Sequence, residues 1–444
     1  MFKNAFVVRS LLVGAFTLLA ASFLVRPSVA VEVEEITTPK GLSYWLVEDD
    51  TVPLVTVSFS FTGGSLLDPV GKEGLAELLS VTLDEGAADL DSQTFQAKLE
   101  ETAARLSFNS RTERFSGVFR TLSSNQEEAF DLLAKAMLEP RFDAEPVQRM
   151  TGRMQARLRG NLTDANSIAS NTWFSSAFPG HPYGRPGSGT IESLATTTPE
   201  DLRKIHKQIF KQTDLKLAVV GNIDAQTASK FLDETFGALP MGTTLPAATA
   251  PAPIVSETII VPLEKAQTIV RIGGNSILIE DPDFIPAYVM NHILGGGSFT
   301  SRLYEEVREK RGLAYSVFSA LSSFEEHGFF MAGLGSRSER ADKAREVIVA
   351  ELERMAKDGP TAGELRAAKD FLKGAYALRF DTSDKISGQL VGLQVQGRGP
   401  EYINIRNDNI EAVSLEDTKR VAKRIFSSPR LTVIVGKPPE ETKG

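Results

Sequence analysis

The chain has 444 residues, with 57 Asp and Glu against 49 Lys and Arg, and no cysteine. A formal charge of −8 argues against nucleic acid or an anionic membrane surface as partner, and the lack of cysteine excludes disulfides and thiolate metal sites. The four histidines, His181, His206, His292 and His327, are too scattered to form a metal-ligand pair.

Residues 1–30 carry Lys3 and Arg9, an apolar run from Leu11 to Leu24, and small residues at Ser28 and Ala30. This pattern predicts a cleavable secretory signal, and so export to a bacterial periplasm. Arg26 ends the run short of the roughly 20 residues that a span needs, so no stable membrane insertion is expected after cleavage. Cleavage removes three cations and no anion, taking the formal charge from −8 to −11. Residues 31–444 exceed what one core usually serves, and two or more domains are expected.

Residues 54–61 alternate apolar with small polar side chains, which predicts a strand with one buried face. Residues 74–84 place Leu75, Leu78, Leu79 and Leu83 at helical spacing. Residues 95–104 read as helix, 106–110 and 115–122 as strands, 126–138 as an amphipathic helix and 142–159 as a longer, basic one. Residues 161–198, polar and rich in small side chains, read as loop and short helices.

A repeat sets the architecture. Residues 200–210, then the strand 215–221 ending in Gly221, are echoed 216 residues later by 416–426 and 431–436. The Glu-Asp start, basic middle, Ile-Phe end and final glycine recur. Residues 240–253, rich in Pro, Ala and Thr, form the natural linker. The prediction is an α+β protein of two homologous halves: an N-terminal domain over 31–240, a linker over 241–253 and a C-terminal domain over 254–444.

The most informative stretch is 294–318, LGGGSFTSRLYEEVREKRGLAYSVF. Gly295, Gly296 and Gly297 predict a tight turn, since glycine tolerates positive φ and lets another chain approach closely. Residues 301–310 read as an amphipathic α-helix stopped at Gly312, and 313–320 as a strand. Arg308 would then end a helix and Tyr315 begin a strand, near enough to share a cleft. Their plainer roles are a dipole-compensating cation and a half-buried strand aromatic.

This run resembles the C-terminal half of the pitrilysin-like zinc peptidases, the family of insulin-degrading enzyme and mitochondrial processing peptidase. The resemblance extends over nearly all of 31–444 through Gly64-Ser65, Asp68-Pro69, Gly74-Leu75-Ala76 and His181-Pro182-Tyr183-Gly184. It implies two α+β halves facing one another like a clam shell around a chamber. It also implies that Arg308 holds substrate oxygens and Tyr315 hydrogen-bonds the developing oxyanion. Gly295, Gly296, Gly297, Ser298 and Phe299 would steer an extended peptide substrate, with core packing the other role open to Phe299.

Active members carry His-x-x-Glu-His after Gly-Leu-Ala, and a third zinc ligand, a glutamate, about 75 residues on. Here the corresponding positions are Glu77, Ser80 and Val81, and the ungapped distal position is Arg157. Zinc ligands, general base and distal carboxylate are all replaced, so no metal or other cofactor is expected in this chain. No Gly-x-Ser-x-Gly elbow or cysteine nucleophile offers another protease chemistry. The resemblance therefore implies a non-catalytic subunit whose heterodimeric partner, a homologous zinc-motif peptidase, binds the zinc. A structural or peptide-binding protein with no part in hydrolysis is the alternative, though such a chain has no chemical need for Arg308 with Tyr315.

Overall fold

A computed structural model of the chain describes residues 32–245 and 248–437. The expected secretory signal over 1–30 lies outside them. The first half runs β1 (Glu34–Thr37), β2 (Ser43–Glu48), β3 (Leu54–Thr62), α1 (Leu75–Ser80), α2 (Ser92–Glu101), β4 (Arg105–Ser110) and β5 (Arg114–Leu122). It continues through α3 (Gln126–Leu138), α4 (Ala144–Asn161), α5 (Ala165–Ala177), α6 (Ile191–Ala195), α7 (Pro199–Ile209), β6 (Lys216–Gly221) and α8 (Ala225–Thr235). The second half opens with β7 (Glu257–Pro262), β8 (Gln267–Asn275) and α9 (Phe284–Asn291), followed by β9 (Ser316–Ser323) and β10 (Gly328–Arg337). It closes with α10 (Ala341–Asp358), α11 (Ala362–Gly374), α12 (Ser383–Val395), α13 (Tyr402–Ala412), α14 (Leu415–Phe426) and β11 (Arg430–Gly436).

Each half is one sheet with helices packed on it, ordered β1-β2-β6-β3-β5-β4 in the first and β7-β11-β8-β10-β9 in the second. The sequence repeat is a repeat of structure. α7 leads into β6, which runs parallel to β2 and antiparallel to β3. In the same way α14 leads into β11, parallel to β7 and antiparallel to β8. Both helices start with a reciprocal cap, Thr198 with Asp201 and Ser414 with Asp417, which satisfies the first free backbone N–H groups.

The described residues from Glu34 onward pack as one compact unit, because each half covers the other's sheet with a helix. α5 lies on β11 and β8, while α12 lies on β6 and β3. This corrects two expectations. The stretch read as loop and short helices contains the 13-residue α5, whose many Asn and Ser residues hide its period. Ala169, Trp173 and Ala177, four residues apart, form its buried stripe against Ile269, Leu431 and Val433. Gly273 makes room there, since a Cβ would lie 2.4 Å from the Trp173 ring. The strand β3, expected to bury one face, buries both. Val55, Val57, Phe59 and Phe61 enter the first core, while Thr56, Ser58 and Ser60 are buried on the opposite side. Contacts from the other half satisfy two of those hydroxyls: Ser58 Oγ lies 2.8 Å from Ser387 Oγ, and Thr56 Oγ1 donates to Asp384 at 3.3 Å.

Candidate functional site

α1 is short because Gly74, at φ 88, is its N-cap and the chain leaves the helix after Ser80. The buried Asp68 carboxylate accepts from the Gly74 and Ala76 N–H groups at 2.8 and 2.9 Å, fixing the helix start. Burial pushes Asp68 up to about 7 in spite of these bonds. From the first turn of α1, Glu77 makes an ion pair with Arg157 on α4. One rung further, Glu85 pairs with Arg149 of the same helix. Two sequence-predicted positions 80 residues apart, 77 and 157, thus meet in space.

These residues do not fit a zinc ion. The Glu77 carboxylate is taken up by a guanidinium, and Ser80 Oγ donates to the Glu77 carbonyl at 2.7 Å. Val81 is an aliphatic side chain packed against the first core. A catalytic zinc needs three lone-pair donors and an open position, and a cation at the third place repels it. Among the described residues no group of three or more His, Asp or Glu side chains is placed to hold a metal ion.

The second predicted cluster lies in the other half. Residues His292–Gly296 form a π-helical turn, and Gly297 closes it by donating its N–H to the His292 carbonyl at 2.8 Å. None of the three glycines has positive φ; that conformation falls on Ser298, at φ 50. Close approach is what demands them. A Cβ on Gly295 would sit 2.4 Å from the Ser319 backbone nitrogen, and one on Gly297 2.7 Å from the His292 carbonyl. Gly295 is buried against β9, whereas Gly296, Ser298 and Phe299 are exposed.

The following helix is π rather than α over Tyr304–Glu309, and the strand starts at Ser316, so Tyr315 immediately precedes β9. The Phe299 ring meets Tyr304 edge-on at 5.1 Å, and the Arg308 guanidinium lies over the Tyr304 ring at 4.9 Å. Lys310 pairs with Glu305 and Glu306 at 2.9 and 2.8 Å, and Arg311 with Glu306 at 2.5 Å. Arg308 has no ion pair among the described residues. Tyr315 is 56% exposed; its N–H donates to the Gly335 carbonyl at 2.9 Å, and its hydroxyl oxygen accepts from Arg337 Nε at 2.8 Å. Arg308 and Tyr315 are thus each held by a further residue, Tyr304 and Arg337, rather than by one another.

Sequence reasoning missed a cavity of about 970 Å³ between the halves, lined by Leu158, Leu162, Phe174, Tyr183, Phe324 and Phe329 among others. None of the predicted site residues lines it. Tyr183 stacks on Phe324 at 4.0 Å, and its hydroxyl donates to Glu113, which also accepts from the Glu325 N–H at 3.0 Å. The one sequence signal is the His181-Pro182-Tyr183-Gly184 run, which carries part of the resemblance and otherwise reads as loop and short helices.

Duplicated α+β halves, a helix pair where a zinc site would sit and an arginine–tyrosine cluster in the second half define a zinc-peptidase fold without the donors for zinc. Comparison with known proteins agrees. Residues 44–190 match the insulinase family of M16 peptidases, and residues 196–372 match the M16 peptidase inactive domain. The boundary between the matches falls before α7 and β6, which belong to the first sheet. A relative from Helicobacter pylori, named a non-peptidase homolog, is 27% identical over 82% of this chain and 84% of its own length. One from Bacillus subtilis, named an uncharacterized zinc protease, is 23% identical over 89% and 96%. The crystal structure of a peptidase M16 inactive domain from Pseudomonas fluorescens superposes with a TM-score of 0.87 at 26% identity, covering 92% of this chain and 98% of that one. The chain belongs to the M16 peptidase family, and it is a member without the zinc donor set.

Proposed function

We propose that this protein is the non-catalytic subunit of a periplasmic heterodimeric zinc peptidase, and that it supplies Arg308 and Tyr315 to a zinc-bearing homologous partner. The observation that carries this reading is the contrast in charge pairing: Glu77 and Arg157 neutralise one another, while Arg308 has no ion-pair partner among the described residues and Tyr315 is exposed. In the complex, the Arg308 guanidinium binds carbonyl or carboxylate oxygens of an extended peptide. The Tyr315 hydroxyl donates to the oxyanion as it forms. Gly296, Ser298 and Phe299 present an exposed, partly apolar rim for the peptide, and Gly295 and Gly297 set its backbone spacing. Zinc belongs to the partner.

Reconstitution tests this. This chain is mixed with a homologue that carries His-x-x-Glu-His, and cleavage of an internally quenched peptide is followed. Tyr315→Phe should lower turnover by about a hundredfold or more, as removal of one oxyanion donor does elsewhere, and Arg308→Ala should lower kcat/KM through lost substrate binding, with the pair still associated in both. Full activity in both variants would instead favour a structural or peptide-binding role. Metal analysis of the chain purified alone should find far less than one zinc per molecule; a stoichiometric ion overturns the proposal.

A further inference from the structure

We infer that Arg337 is a positioning residue for the Tyr315 hydroxyl; the inference rests on the oxyanion role proposed for Tyr315 above. Arg337 is the last residue of β10 and Tyr315 immediately precedes β9, the strand paired with it, so the antiparallel ladder brings the two side chains to one end of the hairpin. The backbone of Tyr315 is tied to β10 by its N–H bond to the Gly335 carbonyl at 2.9 Å, and its side chain by the Arg337 Nε–H bond at 2.8 Å. An aromatic ring 56% exposed would otherwise have little to select its rotamer.

The polarity of this bond is fixed by chemistry. A guanidinium has only donors, so the phenolic oxygen must accept, and the phenolic proton is left for a different acceptor. A hydroxyl that accepts from a cation is more strongly polarised and donates better to a developing negative charge. Arg337 has no ion pair among the described residues, so no carboxylate in contact dilutes that effect. The bond thus sets both where the hydroxyl points and how strongly it donates. A mere surface hydrogen bond would add little to stability and nothing to turnover.

The test uses the reconstituted pair with an internally quenched peptide, and compares Arg337→Gln, Arg337→Lys, Tyr315→Phe and the double variant Arg337→Gln with Tyr315→Phe. Loss of a residue that orients a functional group typically costs about 10- to 100-fold, so Arg337→Gln should lower kcat by about tenfold with KM unchanged. Arg337→Lys, which keeps a cationic donor, should recover most of it. In the Tyr315→Phe background, Arg337→Gln should cause no further loss, because its acceptor is gone. Parental kcat in Arg337→Gln beside an impaired Tyr315→Phe, or losses that multiply in the double variant, overturns the inference and leaves the role of Tyr315 standing. Parental kcat in Tyr315→Phe overturns the reading beneath it, and Arg337 falls with it.

Discussion

The degenerate zinc position and the start of β9 keep their charges differently. Beside the degenerate zinc position, Arg157 is answered by Glu77 and Arg149 by Glu85. At the start of β9 two arginines lie instead on aromatic partners, Arg308 over the Tyr304 ring and Arg337 on the Tyr315 hydroxyl. A guanidinium spent on a neighbouring carboxylate has little left for a ligand, whereas one resting on a ring keeps its full charge and its donors. A site that has lost its chemistry can settle into internal neutrality. One that still meets a substrate gains by remaining unneutralised.

The comparison breaks most severely where the halves are joined. Trp173 is fully buried and donates its indole N–H to the Leu431 carbonyl at 3.3 Å. Trp173→Ala should cost about 3–5 kcal/mol, the usual range for large aromatic truncations in a core. Calorimetry should show a lower Tm and, with the halves uncoupled, a broadened or divided transition; an unchanged single transition would remove α5 as the clasp.

A smaller effect sharpens the contrast in charge pairing. Arg157→Glu sets two carboxylates against one another, but Arg157 is half exposed, so about 1 kcal/mol or less is expected. Adding Glu77→Arg should restore what was lost. Failure of the double exchange to recover stability in thermal melts would mean that the pair is incidental.

The last contrast is a pH response of opposite sign at α1 and at the starts of α11 and α14. Around α1, burial pushes Asp68 up to about 7 and Asp84 up to about 6. These folded values lie above the unfolded carboxylate value of 3.8, so their contribution is complete below about 4 and is lost progressively as pH rises from there to the folded values of about 6 and 7. At the starts of α11 and α14 the signs reverse. Burial works against charge on Glu364, but hydrogen bonds from Arg302 and Thr361 outweigh it and hold the group at about 2. The Ser414 hydroxyl and Arg420 hold Asp417 at about 2 as well. Their contribution is complete above about 4.5 and is lost as pH falls towards 2. Amide exchange, corrected for its intrinsic pH dependence, should show α1 loosening from about pH 4 to 7, with no further change above that, and the starts of α11 and α14 loosening below about pH 4. Loosening of α1 on acidification over the upper range would reverse the assignment.

Much of this was legible in the sequence where period and punctuation agree. The helix expected at 126–138 is α3 to the residue. The repeat placed α7 with β6 and α14 with β11, and an ungapped count from Val81 arrived at Arg157, which the fold pairs with Glu77. What stayed hidden depends on the other half of the chain. α5 looks like loop because its exposed face is Asn and Ser, and only the sheet of the second half gives Trp173 a reason to be helical. The hydroxyls of β3 look solvent-facing until α12 covers them. The glycines at 295–297 suggest a turn needing positive φ or close approach, and only the second holds: crowding by Ser319, Asn291 and His292 excludes a side chain there. Arg337 carries no motif at all and acquires meaning only from strand register.

The exchanged helices α5 and α12 also constrain how the molecule is made. Until residues 383–395 have emerged, the first sheet stands with one face of β3 and β6 uncovered. Synthesis must therefore run nearly to its end before the first-made sheet is sealed. A chain broken at the linker would yield two fragments that each lack a lid and carry one meant for the other. Such fragments should be found only as a complementing pair, or in the hands of a chaperone.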